Sequence, residues 1–385
     1  MFWRRLWRGT GAAIAIAGVC ANAADAAALS TPAMSGSLVA NPSPTQFDAG
    51  PLGDIYVTGA VSGVALWQDN RAAGDHQTRI DLDNGQVFIQ KTDGWFQFYV
   101  EAGAYSLPSL GTAYLKAGDA PAATYGIVPQ AYVKLVPSDD VSIEIGKLPT
   151  LIGNEYNFTF ENMNVERGLL WNQTPSVSRG VQVNYSSGPF SAAVSWNDGY
   201  YSNRFNWFSG SLAYAIDGSN SVSAIGGSNF GRTAYSGSAT PLAQNNGSVY
   251  NLIYSHTSGP WTISPYIQYA TVPADAALGT AHSASTISGA LLASYGFNDN
   301  WKLGARAEYI SASGSAASGA PNLLYGQGSK AWSLTLTPTY QRGIFFARAE
   351  ASYVGVADAV AGSALGAFGL DKSQARVLFE TGVLF

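Results

Sequence analysis

Charged residues recur at strand spacing in the second half of the chain: Arg306 and Glu308, Arg348 and Glu350, and Arg376 and Glu380. A β-strand repeats every two residues, so each set projects from one face. A second set, Glu155, Glu161, Glu166 and Arg167, sits in one connection, 148–178. Carboxylates can do acid–base work, but hydrolysis also needs a nucleophile with a base oriented by a third group. The three histidines, His76, His256 and His282, fall in loops or at turns, and His282–Ser283 has no recognisable partner. A hydrolase is the enzymatic alternative, but the chain is expected not to be an enzyme. No two histidines have ligand spacing and no loop has EF-hand spacing, so no metal or cofactor is predicted. The remaining use for these charges is to line a polar interior.

The elements that would carry them read as strands. In WKLGARAEYI, Trp301, Leu303, Ala305, Ala307 and Tyr309 face one way, and Lys302, Gly304, Arg306 and Glu308 the other. AWSLTLTPTY, FFARAEASY and RVLFETGVLF repeat the form. Tight-turn sequences occur at 92–94, 137–140, 186–189, 217–220, 257–260, 298–300 and 341–343, and their residues supply turn conformations that strands cannot. Longer connections lie near 68–79, 106–126, 148–178, 198–205, 229–247, 271–285, 311–329 and 355–375. Short and long alternate along the chain. A soluble sandwich has no reason to sort its connections, whereas a transmembrane antiparallel barrel needs short periplasmic turns and long outer loops. The fold class is therefore all-β, a barrel of about sixteen strands.

The first residues fit that compartment. Arg4, Arg5 and Arg8 precede a short apolar run, Gly11 to Val19, and two small-x-small sites follow. This is the order of a secretory signal, expected over 1–23 with cleavage after Ala23, and Ala26 as the second site. Residues 24–54, rich in Ala, Ser, Pro and Gly, read as a flexible periplasmic leader, and 55–385 as the barrel. Cys20 is the only cysteine, so the mature chain forms no disulfide. Charged residues make up 12%, about half the usual ~25% share, which suits strands with one face in lipid. Losing Arg4, Arg5 and Arg8 leaves 17 basic against 25 acidic residues, near −8, which argues against nucleic acid as a partner.

Aromatics crowd the short-turn ends: Trp95, Tyr185, Phe190, Tyr214, Tyr254, Trp261, Tyr295, Trp301, Tyr340 and Phe345, with Phe385 at the same level. Such rings favour the headgroup zone of a bilayer. With apolar faces in lipid, Glu101, Lys134, Glu144, Lys302, Arg306, Glu308, Arg348, Glu350, Arg376 and Glu380 are expected to line the lumen. Sixteen strands enclose too much space for side chains to fill, so the interior is expected to be wet. Arg306–Glu308 and Arg348–Glu350 could also be wall-stiffening ion pairs. The 148–178 connection is too apolar to stand in water, carrying Phe158, Phe160, Leu169, Leu170 and Trp171. Folded into the barrel mouth, it would place Glu155, Glu161, Glu166 and Arg167 at a constriction. The basic wall residues Arg306, Arg348 and Arg376 would face them across a narrowing. An outer loop packed on its neighbours is the alternative.

Gly146–Lys147, Gly153–Asn154–Glu155, Asn162 through Arg167, and Asn197–Asp198–Gly199 resemble the pattern of the putative β-barrel porin-2 family, and DNGQVFIQK at 83–91 resembles its early strand. The sixteen-strand plan with a long loop after the fifth strand resembles general diffusion porins. The resemblance implies a porin of the bacterial outer membrane, passing small hydrophilic solutes or ions by diffusion. The final strand, with Phe379, Val383 and Phe385 at alternate positions, resembles the signal read by the barrel assembly machinery, although Thr381 is a weak member. Small residues on outer faces near the seam, Gly59, Gly63 and Ala65 with Ala347, Ala349 and Ala351, predict a homotrimer contact. A closed structural or adhesion barrel, plugged by the 148–178 loop or the leader, is the non-transport alternative.

Overall fold

The computed structural model describes Leu29 and residues 31–385. The expected signal segment 1–23 and its cleavage at Ala23 lie outside the described residues. Among the described residues, a short strand β1 (Thr45–Asp48) precedes sixteen longer ones: β2 (Asp54–Gln68), β3 (Thr78–Lys91), β4 (Phe96–Tyr105), β5 (Ala131–Ser138), β6 (Val141–Pro149), β7 (Val177–Ser187), β8 (Phe190–Asn197) and β9 (Trp207–Ala215). They continue as β10 (Asn220–Asn229), β11 (Ser248–Ser258), β12 (Trp261–Val272), β13 (Ala284–Gly296), β14 (Trp301–Ala312), β15 (Lys330–Arg342), β16 (Phe345–Ala357) and β17 (Ser373–Leu384). From β2 onward each strand pairs antiparallel with its chain neighbours, and β17 pairs with β2, so sixteen strands close an all-β barrel. No helix among the described residues is long and apolar enough to cross a membrane, which says nothing of strands.

Turn chemistry accounts for the strand ends. Gly94, Gly188, Gly259 and Gly343 hold positive φ in the short connections, where a Cβ would be strained. The short connections all lie at one end of the barrel and the long loops at the other, as antiparallel alternation requires. At the seam Phe379 stands opposite Ala65, Glu380 opposite Val64 and Leu384 opposite Ala60. Pairing runs on to Phe385, which exchanges backbone hydrogen bonds with Gly59 at 2.7 and 3.0 Å. The Phe385 ring lies over Gly59, so a Cβ there would fall 2.4 Å from its Cζ. The outer face at Gly59 is therefore covered by this ring and is not the smooth strip its small size suggests.

Outward faces are apolar. Ile80, Val194, Ile267, Ile287, Leu334 and Leu336 are exposed, and aromatic rings flank them. At the short-turn end Trp261–Tyr295, Trp301–Tyr340 and Phe190–Tyr214 pack with centroids 4.6, 5.0 and 4.8 Å apart. A continuous belt of this kind would cost about 25 cal/mol per Å² in water, and it is stable only against lipid. Phe379 and Phe385 belong to this outward face, and Val383 shares their side of β17.

The segment before the barrel departs from expectation. Residues 31–54, read as a leader without an element, contain β1, which pairs with β2 (Thr45 opposite Val57, Asp48 opposite Asp54). β2 extends past the point where β17 stops, leaving an unpaired edge that β1 covers. A strand of four residues, in the five-residue gap between Pro44 and Gly50–Pro51, is too short to display alternation in the sequence.

Candidate functional site

Two long connections fold into the lumen. The first, between β6 and β7, follows from its own composition: Phe158, Phe160, Val165, Leu169 and Leu170 are all buried. Its polar backbone must then find partners inside the barrel. The wall supplies them. Glu308 accepts from the amides of Leu169 (3.0 Å) and Leu170 (3.1 Å), and Glu350 from those of Val165 (2.5 Å) and Glu166 (2.9 Å). Gln268 donates to Leu170 O at 2.9 Å, and Arg348 to Asn162 O at 3.1 Å.

The loop's charges meet wall charges directly. Glu155 lies 2.5 Å from Arg306 Nη1, which also donates to Glu166 O at 2.7 Å. The Glu166 carboxylate lies 2.6 Å from Arg376 Nη1 and accepts from Ser352 at 2.9 Å. Glu161 turns back into its own loop, accepting from the Phe158 amide at 3.0 Å. The Arg167 backbone bridges to Pro108 O and the Leu110 amide, while its buried guanidinium lies 5.0 Å over the Trp171 ring. None of that guanidinium's nitrogens has a hydrogen-bond partner. The three wall arginines therefore do not face the loop across an opening. All three bind it, Arg306 and Arg376 through carboxylates and Arg348 through Asn162 O, and each is at most 1% exposed. A transverse field would need separated charges, and contact neutralises these in pairs.

The wall pairs are also partly different from the simplest expectation. Arg306 Nε does lie 3.3 Å from Glu308. Arg348, however, pairs across strands with Glu380, at 2.5 and 3.0 Å, and not with Glu350. Residues i and i+2 on one strand are roughly 6.6 Å apart, farther than residues directly opposite on neighbouring strands. Arg348 and Glu380 are opposite in register. Glu380 further accepts from Ser62 (2.9 Å) and lies 3.0 Å from the Thr159 hydroxyl oxygen of the loop.

The second inner segment is the 106–126 connection between β4 and β5. Its place among the long connections predicts an outer loop, which the structure corrects. Leu107, Leu110, Tyr114 and Tyr125 are buried, and that apolar share was its signal. Arg376 donates to Ser109 O (2.8 Å) and to Thr112 O, and Asp75 accepts from the Tyr114 amide at 2.9 Å. Two further wall residues, not singled out by the charge pattern, hold these segments: Asp83, which accepts from Ser106 and from Thr159 (2.7 Å), and Gln68, which accepts from Arg376 at 3.0 Å.

The inner segments bind chiefly the side formed by β11–β17 and β2–β4, the loop reaching Asn251 of β11 through the Gly153 amide (3.1 Å) and Ser264 of β12 through Asn154 (2.8 Å). The opposite wall carries smaller polar groups. Lys134 lies 3.8 Å from Glu144, and Gln182 donates to Glu144 at 3.3 Å and to Asn184 at 2.8 Å. Ser195, Ser209 and Ser223 face inward beyond them. Glu101 accepts from Gln86 (2.5 Å) and Tyr99 (3.2 Å), and Lys302 makes no ion pair among the described residues. His256 bonds Asn220 at 2.8 Å near a short turn, and no cluster of metal-ligating side chains occurs among the described residues.

Solved structures share this architecture. The outer-membrane OmpT of Vibrio cholerae is 12% identical with a TM-score of 0.58, over 89% of this chain and 100% of its own. The outer membrane channel DcaP of Acinetobacter baumannii is 11% identical with a TM-score of 0.57, over 86% and 97%. A porin refined at 1.8 Å is 12% identical with a TM-score of 0.50, over 86% and 100%. These identities speak to the fold alone. No curated protein matches the sequence. The family described as putative beta-barrel porin-2, OmpL-like, matches residues 54–385, the whole barrel from β2 to Phe385, and this chain belongs to that family of outer-membrane porins.

Proposed function

We propose that this outer-membrane channel passes small hydrophilic solutes or ions along the β5–β9 wall, with the 148–178 loop narrowing the passage from the other side. The observation that carries this reading is the asymmetry of the lumen: buried Arg–Glu pairs fix the 148–178 loop to one wall, hydrogen bonds from Arg376 and to Asp75 fix the 106–126 segment beside it, and serine, asparagine and glutamine side chains are left on the other. Glu155, Glu166, Arg306, Glu308, Arg348, Glu350, Arg376 and Glu380 then hold the constriction in place. Lys134 and Glu144 act on the solute, and Glu101 and Lys302 border the path. Glu161 and Arg167 shape the loop itself. We infer that the chain is not an enzyme.

Phe379, Val383 and Phe385 are proposed as the signal to the barrel assembly machinery, so deleting Phe385 should lower insertion more than conductance per inserted channel. A homotrimer contact is proposed at Gly63 and Ala65 with Ala347, Ala349 and Ala351. A monomeric mass in mild detergent would argue against it. Channel function is tested by planar-bilayer recording: discrete ohmic steps support diffusion, and silence supports a closed structural barrel.

A further inference from the structure

Beneath the inner loop, residues 31–39 (TPAMSGSLV) cross the short-turn half of the lumen. One end is held at the β3 rim: Thr31 donates to Gln90 Oε1 at 3.1 Å, and Gln90 Nε2 donates to Thr31 O at 2.5 Å. The other end is held at the β15 rim, where Val39 and Gln341 exchange two hydrogen bonds of 2.8 Å. Between the rims the segment rises to the tip of the 148–178 loop. Ser35 donates to Glu161 O through its amide (3.1 Å) and its hydroxyl (2.9 Å). Gly36 is pressed so closely on the loop that a Cβ would fall 2.2 Å from Asn162 O. Ser37 and Leu38 are 1% and 2% exposed, and Leu38 joins an apolar cluster with Phe88, Phe160, Phe346 and Leu384.

The strap and the loop above it are held differently. Buried Arg–Glu contacts fix the loop, and breaking such pairs is costly. The strap has no charged residue, so no side-chain ion pair can hold it. It is held by hydrogen bonds to backbone carbonyls and glutamine amides, which water replaces at a net cost of about 1 kcal/mol each. Leu38 is its single fully buried aliphatic anchor.

We propose that residues 31–39 are a detachable intramolecular plug, which narrows the periplasmic half of the channel when seated and opens a wider state when it leaves. The plug rests on the channel reading, so one readout must be independent of conductance. Ser37→Cys supplies it, because the thiol is reachable by a periplasm-side maleimide only when the strap detaches. The chain's one native cysteine, Cys20, lies in the expected signal segment. Labelling is expected at Ser37→Cys and should be lost when Val39 and Gln341 are also joined by a short bis-maleimide between introduced cysteines. In bilayers, wild type should visit two levels, deletion of 31–39 the higher level alone, and the joined Val39→Cys/Gln341→Cys pair the lower alone. Should the deletion fail to fold, Gly36→Val keeps the chain whole and should lengthen the higher-level dwell. Absent labelling at Ser37→Cys, or a deletion with wild-type levels, overturns the plug. Labelling with silent bilayers shows a strap that detaches from a closed barrel, and overturns the channel reading and the plug's gating role with it.

Discussion

Replacing Arg306 with methionine is the sharpest perturbation of the inner loop. The Arg306 side chain is fully buried, and it binds Glu155 at 2.5 Å, Glu166 O at 2.7 Å and Thr335 at 3.2 Å. Arg306→Met keeps most of the volume but leaves the Glu155 carboxylate with only the Gly168 amide, 3.1 Å away. Breaking one side of a buried pair costs about 3–5 kcal/mol. Removing both charges, as Arg306→Met with Glu155→Met, is often close to neutral. Glu308 would lose its 3.3 Å neighbour but keep three donors, Leu169, Leu170 and Ser333. The double variant should therefore recover most of the loss, giving a coupling of at least about 2 kcal/mol. Guanidinium unfolding of the refolded protein in detergent measures all four corners of the cycle. A single-variant cost below about 1 kcal/mol, as at an exposed pair, would refute the anchoring argument, and so would additive losses.

Gly59→Ala should destabilise the seam by about 1–3 kcal/mol, because the new Cβ falls 2.4 Å from the Phe385 ring and 2.7 Å from Gln86 O. Loss of the heat-resistant folded band on gels reads it, and an unchanged band would contradict the seam geometry. Burial pushes the Asp75 carboxyl up, but hydrogen bonds from the Tyr114 amide, Gln68, the His76 amide and Arg79 outweigh it and hold it below its ordinary value. Its hold on the 106–126 segment is complete above the ordinary carboxylate range and is lost as pH falls through the depressed folded value. Hydrogen exchange at Tyr114 should rise there, and Asp75→Asn should exchange fast at every pH. Glu144→Gln leaves Lys134 unbalanced beside the proposed path, so the reversal potential in a salt gradient should move toward anion preference. Lys134→Gln should move it the other way, and equal shifts in one direction would place the pair off the path.

Period-two alternation made the barrel legible, because each strand meets lipid on one side and polar groups on the other. Turn residues such as Gly188 and Gly343 marked its short ends. Inward placement of Arg306, Glu308, Arg348, Glu350, Arg376 and Glu380 followed from the same pattern. Pairing did not, since Arg348 meets Glu380 only once register sets β16 against β17. The apolar content of 148–178 announced an inner segment. The same argument applied to Leu107, Leu110 and Tyr114 would have found the second one. The strap was hidden for a different reason. TPAMSGSLV has no periodicity, and its place is set by a glycine whose missing side chain admits Asn162 O.

Single-channel recording of the wild-type protein in a planar bilayer tests the central claim most directly. Discrete ohmic steps with two levels are expected, the lower one set by the seated strap and the inner loop. A protein that inserts as a folded barrel yet passes no current would contradict it.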